Sequence, residues 1–311
     1  MLVWTNIGFP KARYLGCVYF KDMTDHWVDR SAYPFTPNYF YTEGNRMHYI
    51  DEGQGETVLF VHGTPSWSFE YRGVIKRLKT SFRCVAIDHI GFGLSDKPVH
   101  YDYSTANHSQ TLERFVLDKN LNNFALVVHD FGGPIGLNFA IRHPDRVKRL
   151  VILNSWLWSS DTDPDFVRTR KLLKSPILPF LYRHLNFSAR YILPRSFGDQ
   201  KISKEILKQY TKPFAGKTPR NGPWAFVQSL LSDQDWFEQL WEKRQLISRK
   251  PTLFVWGMKD PIIKPDNLKK FQSGFPNSVT VELDTGGHFP QEEHPELVAD
   301  AIMDFLSREL C

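Results

Sequence analysis

Cysteine is scarce in this chain: Cys17, Cys84 and Cys311 are the only ones among 311 residues. Three residues, odd in number and far apart, make neither a disulfide framework nor a zinc site, so a reducing compartment is expected. No apolar run is long enough to cross a bilayer. The opening MLVWTNIGFPKARYLG lacks the basic start and unbroken apolar core of a signal peptide, so a soluble, cytoplasmic protein is expected. Charge is short too. The formal net charge is +5, with Lys and Arg scattered among Asp and Glu and no long basic run, which speaks against a nucleic-acid or membrane partner. A dinucleotide fingerprint and a metal-ligand cluster are both missing, so neither cofactor nor metal is expected. So is any Gly-x-Ser-x-Gly, which removes the commonest serine nucleophile.

Apolar and aromatic residues are plentiful. The chain is 41% hydrophobic and holds 24 Phe, 12 Tyr and 9 Trp, enough for a large core and an apolar pocket besides. Residues 1–37 show no period but carry several aromatics, and read as an extension packed on the core. A rhythm then begins. NYFYTEG and RMHYIDEG form a hairpin turning at Glu43-Gly44-Asn45. Short unbroken apolar runs follow at 58–63, 83–88, 124–130, 147–154, 252–257 and 279–284, as strands buried on both faces require. Helical patterns separate them at 69–79, 104–118, 132–142 and 265–273, and one at 295–308 closes the chain. Strands alternating with helices give an α/β fold with a mostly parallel, eight-stranded sheet flanked by helices. One long interval breaks the rhythm. Residues 156–245 hold amphipathic helical stretches punctuated by proline, and read as a helical cap inserted after the sixth strand. The core is thus expected in two parts, 38–155 and 246–311.

Four polar signals fall at the carboxyl ends of strands, where an open parallel sheet does its chemistry. Asp130 ends FALVVHD and precedes Phe131-Gly132 and a helix, the order of a nucleophile elbow, although Val128 stands where a first small residue is usual. Taken alone, Asp130 reads equally as a helix N-cap. His288, in the turn GGHFP after the last strand, lies where a general base must lie; His294, just before Pro295, reads as a helix cap. Asp260, after TLFVWG, can orient that imidazole, or can be a plain turn Asp before Pro261. The turn His62-Gly63-Thr64-Pro65 can supply a backbone N–H to an oxyanion hole, with Phe131 supplying the second and His62 bracing the turn from below. The chain order nucleophile, acid, base is that of α/β-hydrolases.

HGTPSWSFEYR (62–72), DHIGFGLSDKP (88–98), HDFGGPIGL (129–137), VWGMKD (255–260) and GGHFPQEEHPE (286–296) resemble the haloalkane dehalogenase family of α/β-hydrolases over about 38–154 and 250–308. The resemblance implies that Asp130 attacks a carbon bearing a leaving group, that His288 activates water against the resulting ester, and that Asp260 is the acid. Some family members carry the acid after the sixth strand, but Asn154 stands there. Water and a small apolar substrate are the implied partners. Epoxide hydrolases and β-lactone decarboxylases look alike in the same places, and epoxide opening would draw on Tyr182, Tyr191 or Tyr210. A non-catalytic binding protein on the same scaffold is the alternative of another class. Two positions depart from the family. Phe131 stands where a Trp indole usually holds the halide, and Thr64 where Asn or Glu is common. A lost donor of this kind costs about 3 kcal/mol of barrier. The expected replacements are Trp156 and Trp158, which leave the sixth strand near the mouth, ahead of Trp224, Trp236 and Trp241.

Overall fold

The computed structural model describes residues 25–308. Among them, eight strands form one sheet: β1 (Asn38–Thr42), β2 (Asn45–Glu52), β3 (Thr57–Val61), β4 (Arg83–Ile87), β5 (Phe124–Asp130), β6 (Val147–Ser155), β7 (Thr252–Gly257) and β8 (Ser278–Leu283). Their order is β1-β2-β4-β3-β5-β6-β7-β8. Only the pairings of β2, with β1 and with β4, are antiparallel. The β1–β2 hairpin turns through Glu43 and Gly44, both at positive φ, as a two-residue loop needs.

Twelve α-helices accompany the sheet among the described residues. They are α1 (Arg72–Leu78), α2 (Thr105–Asp118), α3 (Gly132–Arg142), α4 (Pro164–Leu173), α5 (Leu178–Leu185), α6 (Leu193–Arg195), α7 (Lys204–Thr211), α8 (Asn221–Ser232), α9 (Gln234–Lys243), α10 (Pro265–Gly274), α11 (Pro290–Glu293) and α12 (Pro295–Ser307). Alternate residues along each central strand feed two separate cores. Leu59, Val61, Leu126, Val128 and Ile152 pack with α2, α3 and α10, whereas Val58, Phe60, Ala125, Val127 and Val151 pack with α1 and α12. A sheet covered on both faces explains why its strands read as unbroken apolar runs rather than as alternating ones.

Helices α4 to α9 all lie between β6 and β7. Their prolines do not interrupt them: Pro164, Pro179 and Pro194 sit in first turns, where the missing N–H has no intrahelical partner to lose. Residues 1–24 of the expected extension lie outside the described residues. The remainder brings Val28, Tyr33 and Phe35 into the core, and the Tyr33 hydroxyl pairs with Ser68 Oγ at 2.6 Å. Of the three cysteines, Cys17 and Cys311 also fall outside, and Cys84 is a buried free thiol pushed up to about 12 by burial.

Candidate active site

The turn that carries Asp130 is tight enough to dictate its neighbours. Asp130 adopts φ +51°, in the left-handed region that few side chains tolerate, so its carboxylate stands up from the strand end. A Cβ on Gly132 would meet Val61 O at 2.1 Å, and one on Gly63 would meet Asp130 Oδ1 at 2.1 Å. Val128, bulky where a small residue is usual, is accommodated from the other side: a Cβ on Gly136 would lie 2.7 Å from its Cγ1. Asp130 does not act as an N-cap. The cap position of α3 is Phe131, and no side chain bonds there.

Asp130 Oδ1 accepts the Thr64 backbone N–H at 2.9 Å, and the Phe131 backbone N–H also bonds the carboxylate. The two expected oxyanion donors therefore converge on one carboxylate. Its other oxygen, Oδ2, lies 3.2 Å from His288 Nε2. His288 Nδ1 donates to Asp260 Oδ2 at 2.7 Å. All three side chains are buried. Burial alone would push the His288 imidazole down, but the charge of Asp260 and the hydrogen bonds that the ring donates to both carboxylates outweigh it and raise it to about 10. Burial likewise pushes Asp130 up, and the hydrogen bond and charge of His288 more than reverse that.

Asp260 is held on every side. Its Oδ1 accepts the N–H groups of Ile262 at 2.7 Å and Ile263 at 3.0 Å, and its Oδ2 accepts Asn154 Nδ2 at 2.9 Å. Asn154 owes its position to a break in the ladder. His129 pairs with Leu153 but Asp130 with Ser155, so Asn154 is the extra residue of a bulge. Its amide also bonds Gly257 N at 2.8 Å and Gly257 O at 3.1 Å. The position that lacks an acid is thus a brace for the acid next door.

A second buried pair lies beneath the imidazole. His129 Nε2 donates to the His288 carbonyl at 2.6 Å, and its Nδ1 faces Glu70 Oε1 at 3.2 Å. Neither residue stood out in the sequence. The signal, had it been read, was an acidic residue inside an otherwise apolar and aromatic stretch, WSFEYR. His62 does brace its turn: Nδ1 donates to Gly63 O at 2.7 Å while Nε2 accepts the His89 N–H at 3.0 Å. The DHIGFGLSDKP segment is structural as well, with Asp88 accepting the N–H groups of Ser68 and Leu94 at 2.8 Å each. His294 sits at the entry to α12 but its side chain forms no cap there, a correction to the expected role.

The side of Asp130 away from His288 is aromatic. Phe131 meets Trp156 edge-on at 4.8 Å and Phe226 at 4.7 Å between ring centroids. Trp158 is not brought to it. Two residues further on, its ring packs against Trp241, Phe271 and Lys270. Thr64 Oγ1 is buried with no partner among the described residues. Of the three cap tyrosines, Tyr191 is exposed, Tyr210 donates to Glu292, and Tyr182 is buried against Trp224. Burial and then the charge of Asp130 push the Tyr182 phenol upward, so it lies within electrostatic reach of that carboxylate. Among the described residues no group of His, Cys, Asp and Glu is arranged to hold a metal ion.

Residues 56–295 match the α/β-hydrolase fold family. Haloalkane dehalogenase 2 of Mycobacterium tuberculosis is 33% identical over 282 residues, covering 90% of this chain and 98% of that protein. A cis-3-alkyl-4-alkyloxetan-2-one decarboxylase of Shewanella oneidensis is 36% identical over 286 residues, covering 88% and 89%. The crystal structure of haloalkane dehalogenase DatA from Agrobacterium tumefaciens superposes with a TM-score of 0.79 at 28% identity, over 88% of this chain and 96% of that one. With the nucleophile elbow, the His and the second Asp meeting at the strand ends, the chain is an enzyme of the α/β-hydrolase fold family, in its haloalkane dehalogenase group.

Proposed function

We propose that this hydrolase cleaves carbon–halogen bonds through an alkyl ester on Asp130. The observation that carries the reading is the setting of that carboxylate: Oδ1 accepts the Thr64 N–H at 2.9 Å, the Phe131 N–H bonds the same carboxylate, and Oδ2 lies 3.2 Å from His288 Nε2. Oδ2 attacks the sp³ carbon, the C–X bond breaks, and the halide departs with the electron pair. The ester carbonyl is then Oδ1, already held by the Thr64 N–H. His288 removes a proton from water, the hydroxide adds to Cγ, and the negative charge develops on Oδ1, where Thr64 and Phe131 N–H stabilise it. Collapse releases the alcohol and restores the carboxylate. Asp260 holds the imidazole in the tautomer this requires. The substrate is small and apolar, water is the second reactant, and residues 156–245 serve as the cap. A cytoplasmic setting accords with the buried free thiol of Cys84.

The test separates the two half-reactions. His288→Phe mixed with 1-bromobutane should gain the mass of a butyl group, located by peptide mapping on Asp130, and release one halide without turning over. Wild type cycling in ¹⁸O water should carry label in the Asp130 peptide. Label found in the alcohol alone under repeated turnover would overturn the ester mechanism.

A second reading is favoured by Tyr182. Its buried phenol, pushed up by burial and by the charge of Asp130, is the kind of acid that opening of an epoxide or a β-lactone would require, and a relative at 36% identity is named for an oxetanone decarboxylation. Tyr182→Phe distinguishes the readings. It should spare halide release and abolish ring opening if the natural leaving atom is oxygen.

A further inference from the structure

We propose that the outer face of α4, α5 and the turn after them docks on an anionic lipid surface. Helix α5 buries Leu178 and Tyr182 inward and yet turns a second apolar stripe outward, which a helix on a purely aqueous surface does not do. Leu172, Ile177, Phe180, Leu185 and Tyr191 on this segment, and Ile262 beside it, are 42–63% exposed. The face is continuous around the loop that follows Asp260. Lys264 pairs with Asp165 at the start of α4, while Ile262 shares a groove with Phe187 and Tyr191.

Charge identifies the partner. Between residues 166 and 198 there are seven Lys and Arg and no Asp or Glu, more positive charge than the net +5 of the whole chain. Arg168 and Arg170 are paired with Asp165 and Asp161. Lys171, Lys174, Arg183 and Arg190 are exposed and have no acidic partner among the described residues. Cations interleaved with bare Leu, Ile and Phe fit the boundary of a bilayer, where the head groups take the charge and the acyl region takes the side chains. A nucleic acid would satisfy the cations and leave the apolar groups wet. No helix of the described residues is long and apolar enough to cross a membrane, and the proposed contact is a peripheral one.

The groove on this face holds about 470 Å³. Its walls are Phe187, Tyr191, Ile192 and Ile262, and its floor includes Ser196 and Pro261. Ser196 O accepts the His288 backbone N–H at 2.7 Å, and Pro261 follows Asp260 directly. The docking face therefore borders the segments that carry His288 and Asp260.

The experiment is co-sedimentation of the full chain with phosphatidylcholine vesicles, with and without phosphatidylglycerol, at low and high salt. Binding should require phosphatidylglycerol and weaken with salt. Lys171→Glu with Lys174→Glu should reduce it about tenfold or more, and Ile177→Ser with Phe180→Ser should remove what survives high salt. Unchanged thermal melts will show that the variants fold. Failure to bind either vesicle overturns the proposal, as does binding indifferent to both pairs of substitutions. A wild-type dimer in solution that Ile177→Ser with Phe180→Ser converts to monomer, without any lipid binding, would make the face an interface between copies and would also overturn it. None of these outcomes depends on what the enzyme hydrolyses.

Discussion

The two sides of Asp130 are built differently. Toward His288 every polar group has a partner: the imidazole lies between two carboxylates, Asp260 takes two backbone N–H groups and an Asn amide, and the His288 carbonyl takes His129. On the other side stand Phe131, Trp156 and Phe226, with one unpaired hydroxyl on Thr64. The contrast teaches which half of the reaction the protein supplies in full. On the proposed mechanism, hydrolysis of the ester has its base, its acid and its oxyanion donors fixed beforehand, and preorganised donors are where most of an enzyme's advantage lies. For departure of the leaving group the proposed mechanism has an aromatic wall and two candidate donors, the Thr64 hydroxyl and the Trp156 indole N–H. Halides that leave readily, bromide and iodide, suit such a site better than chloride.

The largest effect should come from breaking the well-built side. Asp260→Asn removes the charge and invites the wrong imidazole tautomer, and turnover should fall by about 10³–10⁴. The loss should lie in hydrolysis, so the alkylated enzyme should accumulate in intact-mass spectra. Normal turnover would move the acid role away from Asp260. Asn154→Leu should act in the same direction but more weakly. It strips one hydrogen bond from a charged group, about 1.5–3 kcal/mol, so a roughly tenfold or greater fall in kcat is expected.

That Asn154 matters at all shows where the sequence stops being legible. Buried parallel strands announce themselves as apolar runs, so Asp130 stands out as a charge closing one, and Asp260 and His288 by their places in the turns after the last two strands. A bulge leaves no such mark. The extra residue of β6 follows from a register shift between His129 and Asp130 that only the paired strands reveal. The Glu70–His129 pair joins residues 59 positions apart and was hidden for the same reason. Within the insertion the helical stretches are legible from their amphipathic pattern, but which aromatic meets the nucleophile depends on how the chain leaves β6. Trp156 and Trp158 look equivalent on paper, and one packs on Phe131 while the other faces Trp241 and Phe271.

The sparse side can be sharpened in both directions. Thr64→Val keeps the backbone N–H and the side-chain shape but deletes the hydroxyl. Chloride release from 1-chlorobutane should drop by about tenfold, and bromide release from 1-bromobutane by less, because a hydrogen bond to a charged group is worth about 1.5–3 kcal/mol. Equal losses on both would mean that the hydroxyl does not face the leaving atom. Phe131→Trp adds an indole N–H at a position whose own side chain has no donor. It must displace rings already in contact, so part of the gain is spent on overpacking, and a few-fold rise in chloride release relative to bromide is expected. Chloride release that is already equal in wild type would place a full set of donors elsewhere in the cap.

The least effect on overall turnover, and the most informative about the contrast, comes from pH. In the resting enzyme His288 is raised to about 10, with Asp130 among the causes. Between neutrality and pH 9 it is therefore an imidazolium held between two carboxylates, and cannot yet accept a proton. Forming the ester removes the charge of Asp130 and with it one hydrogen bond and one attraction that raise the imidazole. Its affinity for the proton falls, and the base appears only once there is an ester to hydrolyse. Rapid-quench measurements should then show ester formation flat from pH 6 to 9, since Asp130 is ionised throughout, while ester hydrolysis rises with pH to a plateau. The same raised imidazole sets the sign of the stability change. Its contribution is complete below its ordinary value near 6.5 and is lost as pH rises through about 10. Denaturant unfolding should show wild type losing stability from pH 7 to 10 relative to His288→Phe. Parallel curves for the two proteins would mean that the imidazolium is not held between the carboxylates, and ester hydrolysis that failed to rise with pH would show that its release does not limit the second half-reaction.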